Sequence, residues 1–342
     1  MEIAPLYTDI TDGPDQGQAY WLKTEDGVRI RAGVWTQDGA KGTVLLFPGR
    51  TEYIEKYSGT AHDLAKCGYA TIAIDWRGQG LADRLTRNPM SGHVIKFDDY
   101  LKDIDVVIEM AEQLELPKPW HLLGHSMGGG IGLQAVMKGL QVASCAFSGP
   151  MWGISISTPM RPVAWTLSTL AQKTGLGHLF TPGTSKSSYV LEEAFEDNKL
   201  TNDRPMYDYM IDQVRAQPDL GLGGPSMGWL IESLKVTRWL HKQPSPDLPC
   251  FTFYGSLEAI VDIPRIEDRM ARWPNGTLYV VEGAHHEVLM DTPEVRADIT
   301  RRLCDHFDKA AAIYPGQPSD VDGPAQQPSA PSHPLRSDSA VA

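Results

Sequence analysis

Short apolar runs rich in branched residues recur along this chain, and most are too short to be helices. Runs at 19–23, 29–35, 43–47, 70–74, 120–123, 143–147, 250–254 and 277–281 fit strands by length and by residue type. Other segments repeat apolar residues every three or four positions. Residues 97–116 place Leu101, Ile104, Val107, Met110, Ala111 and Leu114 on one helical face, with Asp98 and Asp99 near the start, where the helix dipole favours acids. Residues 126–140 and 291–311 are predicted helices too, the second announced by Thr292-Pro293-Glu294. The first two strands have no helix between them and suit a hairpin. The later strands alternate with helices, which demands a parallel sheet.

From about residue 151 to 239 this alternation stops. The segment holds helical stretches at 160–174 and 204–216 and a glycine-rich run at 220–228, but no convincing strand. Inserted between two strands, it reads as a helical cap over the sheet's C-terminal edge. Its stripe of Met160, Val163, Ala164, Leu167, Leu170 and Ala171 is expected to pack onto the domain. The predicted organisation is a core in two parts, 1–150 and 240–312, a cap at 151–239, and a tail at 313–342. The tail, rich in Pro, Ser, Ala and Gln, has the composition of a disordered segment.

Composition narrows the function classes. The chain has 342 residues, 42% of them apolar, enough for one large α/β domain with an insertion. Its formal charge of −12 argues against nucleic acid and offers no polybasic attraction to anionic membranes. Met1-Glu2-Ile3-Ala4-Pro5 lacks the basic start and apolar core of a secretory signal. Cys67, Cys145, Cys250 and Cys304 are widely spaced with no C-x-x-C pair, so reduced thiols in a cytoplasmic protein are expected.

Candidate chemistry centres on Gly124-His125-Ser126-Met127-Gly128, which follows a predicted strand and leads into a predicted helix. That context is the nucleophile elbow, a sharp turn that lifts a serine hydroxyl above the sheet edge. Gly224-Pro225-Ser226-Met227-Gly228 fits the same five-letter pattern but follows no buried strand, and reads as a loop. A serine nucleophile needs a base, and the base a carboxylate to fix its tautomer. Downstream, the strand at 250–254 runs into a turn with Glu258, and Asp262 lies four residues on. The last strand empties into Gly283-Ala284-His285-His286. Three catalytic groups at three strand ends suit the C-terminal edge of an open parallel sheet.

Elbow, acid turn and terminal histidine together resemble the α/β-hydrolase superfamily. Phe47-Pro48-Gly49-Arg50-Thr51-Glu52 and Asp75-Trp76-Arg77-Gly78-Gln79-Gly80 resemble its lysophospholipase L2 and monoacylglycerol lipase group, and Leu220-Gly221-Leu222-Gly223-Gly224-Pro225 with Trp229 is similar to its bacterial lysophospholipase-like members. The likeness covers roughly residues 17 to 310. It implies an α/β-hydrolase fold, a mostly parallel eight-stranded sheet flanked by helices with an inserted helical cap. By the same resemblance Ser126 is the nucleophile, His286 the base and Glu258 the orienting acid, with Asp262 the alternative. The oxyanion donors would be the backbone amides of Met127 and Arg50, although Pro48-Gly49-Arg50 stands where the family has His-Gly-x. The Arg50 side chain reads as bracing its loop, with an anionic head group as the alternative. Trp152, Trp165 and Trp229 are candidate walls of an acyl groove.

Other residues invite chemistry but read as structure: Asp75 and Arg77 as turn builders, His93 as a packing residue, and Asp262 as a helix N-cap. Adjacent His285 and His286 on an extended segment point to opposite faces, so no metal is expected.

The activity implied is two-step cleavage of a carboxylic ester by serine, without metal or organic cofactor. The expected substrate is a single-chain lipid ester, a monoacylglycerol or lysophospholipid, and the lack of basic cap clusters favours the neutral glyceride. The same groups would serve a serine peptidase, for which Glu192, Glu193 and Glu196 hint at an ammonium pocket, or an acyltransferase. A hydrolase-like binding protein would need a broken triad. Oligomeric state and a transient membrane contact through the cap are left open.

Overall fold

A computed structural model describes residues 1–13, 17–184 and 186–313; the sequence prediction for 314–342 lies outside them. The chain forms β1 (Glu2–Ala4), β2 (Gln18–Lys23), β3 (Arg29–Trp35), β4 (Thr43–Phe47), α1 (Ser58–Lys66) and β5 (Ala70–Asp75). Then come α2 (Asp99–Gln113), β6 (Trp120–His125), α3 (Met127–Met137) and β7 (Ser144–Ser148). Helices α4 (Met160–Lys173), α5 (Tyr189–Glu192), α6 (Arg204–Ala216) and α7 (Met227–Lys242) follow, before β8 (Cys250–Gly255), α8 (Ile263–Ala271), β9 (Gly276–Val281) and α9 (Pro293–Ile313).

The strands form one sheet in the order β1-β2-β3-β5-β4-β6-β7-β8-β9. Pairing is antiparallel from β1 to β5 and parallel from β5 to β9. The sheet therefore has nine strands among the described residues rather than eight. The extra one, Glu2–Ala4, is a three-residue edge strand with Glu2 and Ile3 exposed. It has too few buried positions to leave a pattern.

Central strands such as Thr43–Phe47 are buried along their whole length, which is why they read as continuous apolar runs. Alternation sorts their side chains between the faces. Leu45 and Phe47 join a cluster under α2 and α3, while Val44 and Leu46 join a second one with α1 and α9.

Three expectations change here. Cys67 and Cys304 are joined as a disulfide between the end of α1 and α9, and only Cys145 and Cys250 are free thiols. Spacing could not reveal a pair separated by 237 positions. The α4 stripe faces outward: Met160, Val163, Leu167 and Leu170 are exposed, and Ser168 is the buried residue of that helix. Helix α4 packs against α7 through the side that carries Trp165 and Ser168. Helix α7 itself runs to Lys242 and sends Trp229, Val236 and Leu240 into the main core, so its packing is that of the core rather than of a lid.

Candidate active site

The candidate groups leave the C-terminal ends of β4, β6, β8 and β9. Ser126 sits between β6 and α3 with φ 49° and ψ −117°, a strained backbone of the kind that persists where surrounding structure enforces it. Its N–H is held by Ser148 O at 3.0 Å, and its carbonyl accepts from Met151 N at 2.8 Å. A Cβ on Gly128 would lie 2.0 Å from Phe47 O, so the tight passage of α3 past β4 excludes any side chain there.

Glu258 follows β8. Its Oε1 accepts from the N–H groups of Ile260 and Val261 at 2.6 and 3.1 Å, and its Oε2 lies 2.5 Å from His286 Nδ1. Burial pushes this carboxyl up, but the His286 hydrogen bond, the charge of His286 and the two backbone donors outweigh it and hold Glu258 below the usual range. Asp262 does not reach the histidine. It stands at the N-cap position of α8 without capping it, and binds Arg161 of α4 at 2.8 Å instead.

The segment after β4 is fixed from several sides. Trp76 Nε1 donates to Pro48 O at 2.9 Å, and Gln79 Nε2 to the carbonyls of Gly49 and Glu52 at 2.7 and 3.1 Å. A Cβ on Gly49 would meet Glu52 Oε2 at 2.9 Å and Ser126 Cβ at 3.1 Å, so this loop lies directly over the serine. The amides of Arg50 and Met127 have no partner among the described residues. Open donors beside a strained serine suit a developing oxyanion. The Ser126 hydroxyl makes no hydrogen bond to His286 here, a contact that commonly tightens only with substrate bound.

Ser126, Met127, His286 and Arg50 line one cavity of about 320 Å³, with Met151, Val190, Met210, Val214 and Trp229 among its apolar walls. Of the three tryptophans, Trp229 alone lines it. Trp152 is buried beneath α3, donates to Gly129 O at 3.1 Å and stacks on Trp273. Trp165 lies on α4 with Arg238 over its ring. A larger cleft of about 750 Å³ between α1 and α9 holds none of the candidate groups.

The family described as serine aminopeptidase, S33, matches residues 38–293, spanning the elbow, the acid turn and the histidine loop. The chain belongs to this hydrolase family. The same chain is 30% identical to a probable lysophospholipase L2 of Haemophilus influenzae, over 79% of this chain and 85% of that one. It is 25% identical to a monoglyceride lipase of Rattus norvegicus, over 82% and 88%. In fold it resembles a soluble variant of the Saccharomyces cerevisiae monoglyceride lipase solved with a substrate analogue. That likeness has a TM-score of 0.67 and 20% identity, covering 90% of this chain and 99% of that one.

Other groups of this hydrolase take the structural places read from the sequence. Asp75 accepts from Arg31 Nε, Ile54 N and Leu81 N, and Arg77 pairs with Asp103 and Asp26. Ser226 of the second Gly-x-Ser-x-Gly pattern caps α7 by accepting from Trp229 N, and His93 Nδ1 binds the same hydroxyl at 2.8 Å. What sequence reasoning missed is the buried charge beside the serine. Glu52, Lys56 and Glu287 lie in segments that hydropathy alone reads as surface loops, yet all three are buried.

Proposed function

We propose that this hydrolase cleaves the carboxylic ester of single-chain lipids through a serine acyl-enzyme. The observation that carries the reading is His286 held by Glu258 in the same cavity as Ser126 and the two open amides. Ser126 Oγ attacks the ester carbonyl as His286 Nε2 takes its proton, and Glu258 fixes the proton on Nδ1. The Arg50 and Met127 N–H groups receive the negative charge on the carbonyl oxygen. His286 then protonates the departing alcohol and activates the water that frees the acid.

Two features bear on the substrate. An aminopeptidase would need a free carboxylate for the substrate's ammonium, and the acids that line the cavity among the described residues, Glu52 and Glu287, are both paired with Lys56. Glu192, Glu193 and Glu196 are not among its lining residues. Arg50 favours an anionic head group instead. Its guanidinium donates to Gly223 O at 2.8 Å and lies over Trp229, with no carboxylate partner among the described residues. Burial pushes its pKa down to about 10, which leaves it a cation at neutral pH. This supports a lysophospholipid over the neutral glyceride that composition favours. The exposed stripe of α4 supports transient contact with the membrane that supplies such lipids; among the described residues no helix is long and apolar enough to cross one.

The test is turnover of matched lysophosphatidylcholine, monoacylglycerol and aminoacyl-nitroanilide by wild type, Ser126→Ala and Arg50→Gln. Ser126→Ala should abolish lipid turnover. Arg50→Gln keeps the backbone amide and should raise KM about tenfold for the phospholipid, with little change for the glyceride. Equal losses on both lipids would remove the head-group role, and preferred turnover of the anilide would replace the esterase reading with a peptidase.

A further inference from the structure

Four buried ionisable groups meet beside Ser126, and three of them, Glu52, Lys56 and Glu287, also line the candidate cavity. Lys56 Nζ lies 2.6 Å from Glu52 Oε1 and 2.8 Å from Glu287 Oε1. His125 Nε2 lies 3.3 Å from Glu287 Oε2 and 3.6 Å from Glu52 Oε1, while its Nδ1 is 3.0 Å from Ser148 O. Nδ1 of His125 therefore reaches a carbonyl, while Nε2 faces both carboxylates without hydrogen-bonding either. Two carboxylates thus share one ammonium, with an imidazole ring facing both. Burial disfavours the charged form of His125, yet Glu287 and Glu52 outweigh it and raise the pKa, and the same carboxylates do so for Lys56.

Position makes the cluster more than a buried ion pair. Glu52 stands two residues after Arg50, and its Oε2 accepts from Gly49 N and from the Tyr57 hydroxyl. His125 precedes Ser126, Glu287 follows His286, and the rings of His125 and His286 are 4.8 Å apart. One ammonium therefore links the loop of the oxyanion donor to the loop of the base, with the elbow between them. The donor atoms of Glu52, His125 and Glu287 lie within 4.8 Å of one another, a spacing that would also suit a metal ion. Lys56 already places its charge against both carboxylates.

We propose that Glu52, Lys56, His125 and Glu287 act together as a strut. It sets the Arg50 amide, Ser126 and the His286 ring at one relative geometry, so its loss lowers the chemical step rather than substrate binding. The proposal rests on the roles assigned to Ser126, His286 and the two amides. These four are positioning residues, because none of them touches the reacting atoms.

The experiment compares Lys56→Met, Lys56→Arg and the double variant Lys56→Met/Glu287→Gln in the full chain. Readouts are kcat and KM on 4-nitrophenyl butyrate, melting temperature, and inhibition by an alkyl trifluoromethyl ketone, whose hemiketal oxyanion needs both amides. Lys56→Met leaves Glu52 and Glu287 without their shared ammonium. It should melt lower and lose at least about tenfold in kcat with KM within about twofold, and Lys56→Arg should recover most of kcat. The double variant restores charge balance without the link. It should regain the melting temperature, keep the kcat deficit, and bind the ketone more weakly by a similar factor. Recovery of kcat and ketone affinity along with the melting temperature would overturn the strut, leaving charge balance as the cluster's whole role. Unchanged kcat in Lys56→Met would overturn it too. Ester turnover by Ser126→Ala, run as a control, would instead sink the reading of the site beneath it.

Discussion

Replacing Glu258 by glutamine tests the triad at the point where sequence left two carboxylates open. The side chain keeps its length, so one amide oxygen can still accept from the N–H groups of Ile260 and Val261, now 2.6 and 3.1 Å from Oε1. The NH₂ group then falls against His286 Nδ1, where Oε2 sits at 2.5 Å. Two donors cannot share that contact, so the imidazole must move its proton to Nε2 and lose its ability to accept one from Ser126. Such a tautomer error costs about 10⁴-fold in kcat, or about 5 kcal/mol of barrier. Glu258→Asp withdraws the carboxylate by about 1.5 Å, stretching a 2.5 Å contact to about 4 Å and breaking it. It should lose about 10²- to 10³-fold in kcat. Asp262→Asn removes only a partly exposed pair with Arg161 and should stay within about threefold of wild type. The assay is kcat/KM on a chromogenic ester, with fluorophosphonate labelling of Ser126 to report whether the nucleophile is still activated. Near-normal turnover by Glu258→Gln together with a large loss in Asp262→Asn would refute this assignment.

Two further outcomes concern stability. Burial pushes His121 and His306 down to about 4, so both stay neutral in the fold while the unfolded chain binds protons below about pH 6.5. Their stabilising effect is complete above that pH and is lost as pH falls toward 4. For the fully buried His121 the loss is about 2 kcal/mol by pH 5, and urea unfolding of His121→Asn at pH 7 and 5 should show a smaller drop than wild type. Identical pH dependence would remove the effect. The Cys67–Cys304 bridge closes a loop of 237 positions, for which chain entropy gives up to about 5 kcal/mol. Reductant should lower the urea midpoint of the wild type and leave Cys67→Ser/Cys304→Ser unmoved; a midpoint insensitive to reductant would mean the bridge does not form.

What could be read from the sequence was local in origin. Val44 to Phe47 and Leu122 to Gly124 are buried on both faces, so their strands appear as unbroken apolar runs. The elbow appears because glycine is forced at Gly128 by the approach of Phe47 O. The face a helix presents is not local. Helix α4 carries a clear apolar stripe, but its direction depends on the α7 surface it packs against, and the stripe turned outward. Of the three tryptophans, Trp152 and Trp165 miss the cavity for the same reason. Each is an apolar ring in the right segment, and only tertiary packing sends Trp152 beneath α3 and Trp229 to the cavity. The burial of Glu52, Lys56 and Glu287 left no signal in the hydropathy pattern, because a charge is buried by partners brought from other loops.

The loop that carries His286 is held from two directions, and this constrains how residues 198–202 can move. On the core side Glu287 binds Lys56 and faces His125. On the other, the segment after α5 lies along it, with His286 N donating to Lys199 O at 3.3 Å and Glu287 N to Leu200 O at 2.8 Å. Asn198 shapes that strap: its Oδ1 accepts from Leu200 N and Thr201 N at 2.8 and 2.9 Å, and its Nδ2 donates to Phe195 O and Thr201 O. Asn202 Nδ2 adds a bond to Gly283 O. Residues 198–202 therefore cannot swing away as a free lid without leaving the His286 and Glu287 amides unpaired inside the protein, at about 1–3 kcal/mol each. Helix α4 makes no hydrogen bond to the His286 loop among the described residues; Arg161 ties it to Asp262 instead, and none of its residues lines the cavity. A cavity that opens to admit a lipid must therefore do so with residues 198–202 still seated on the His286 loop.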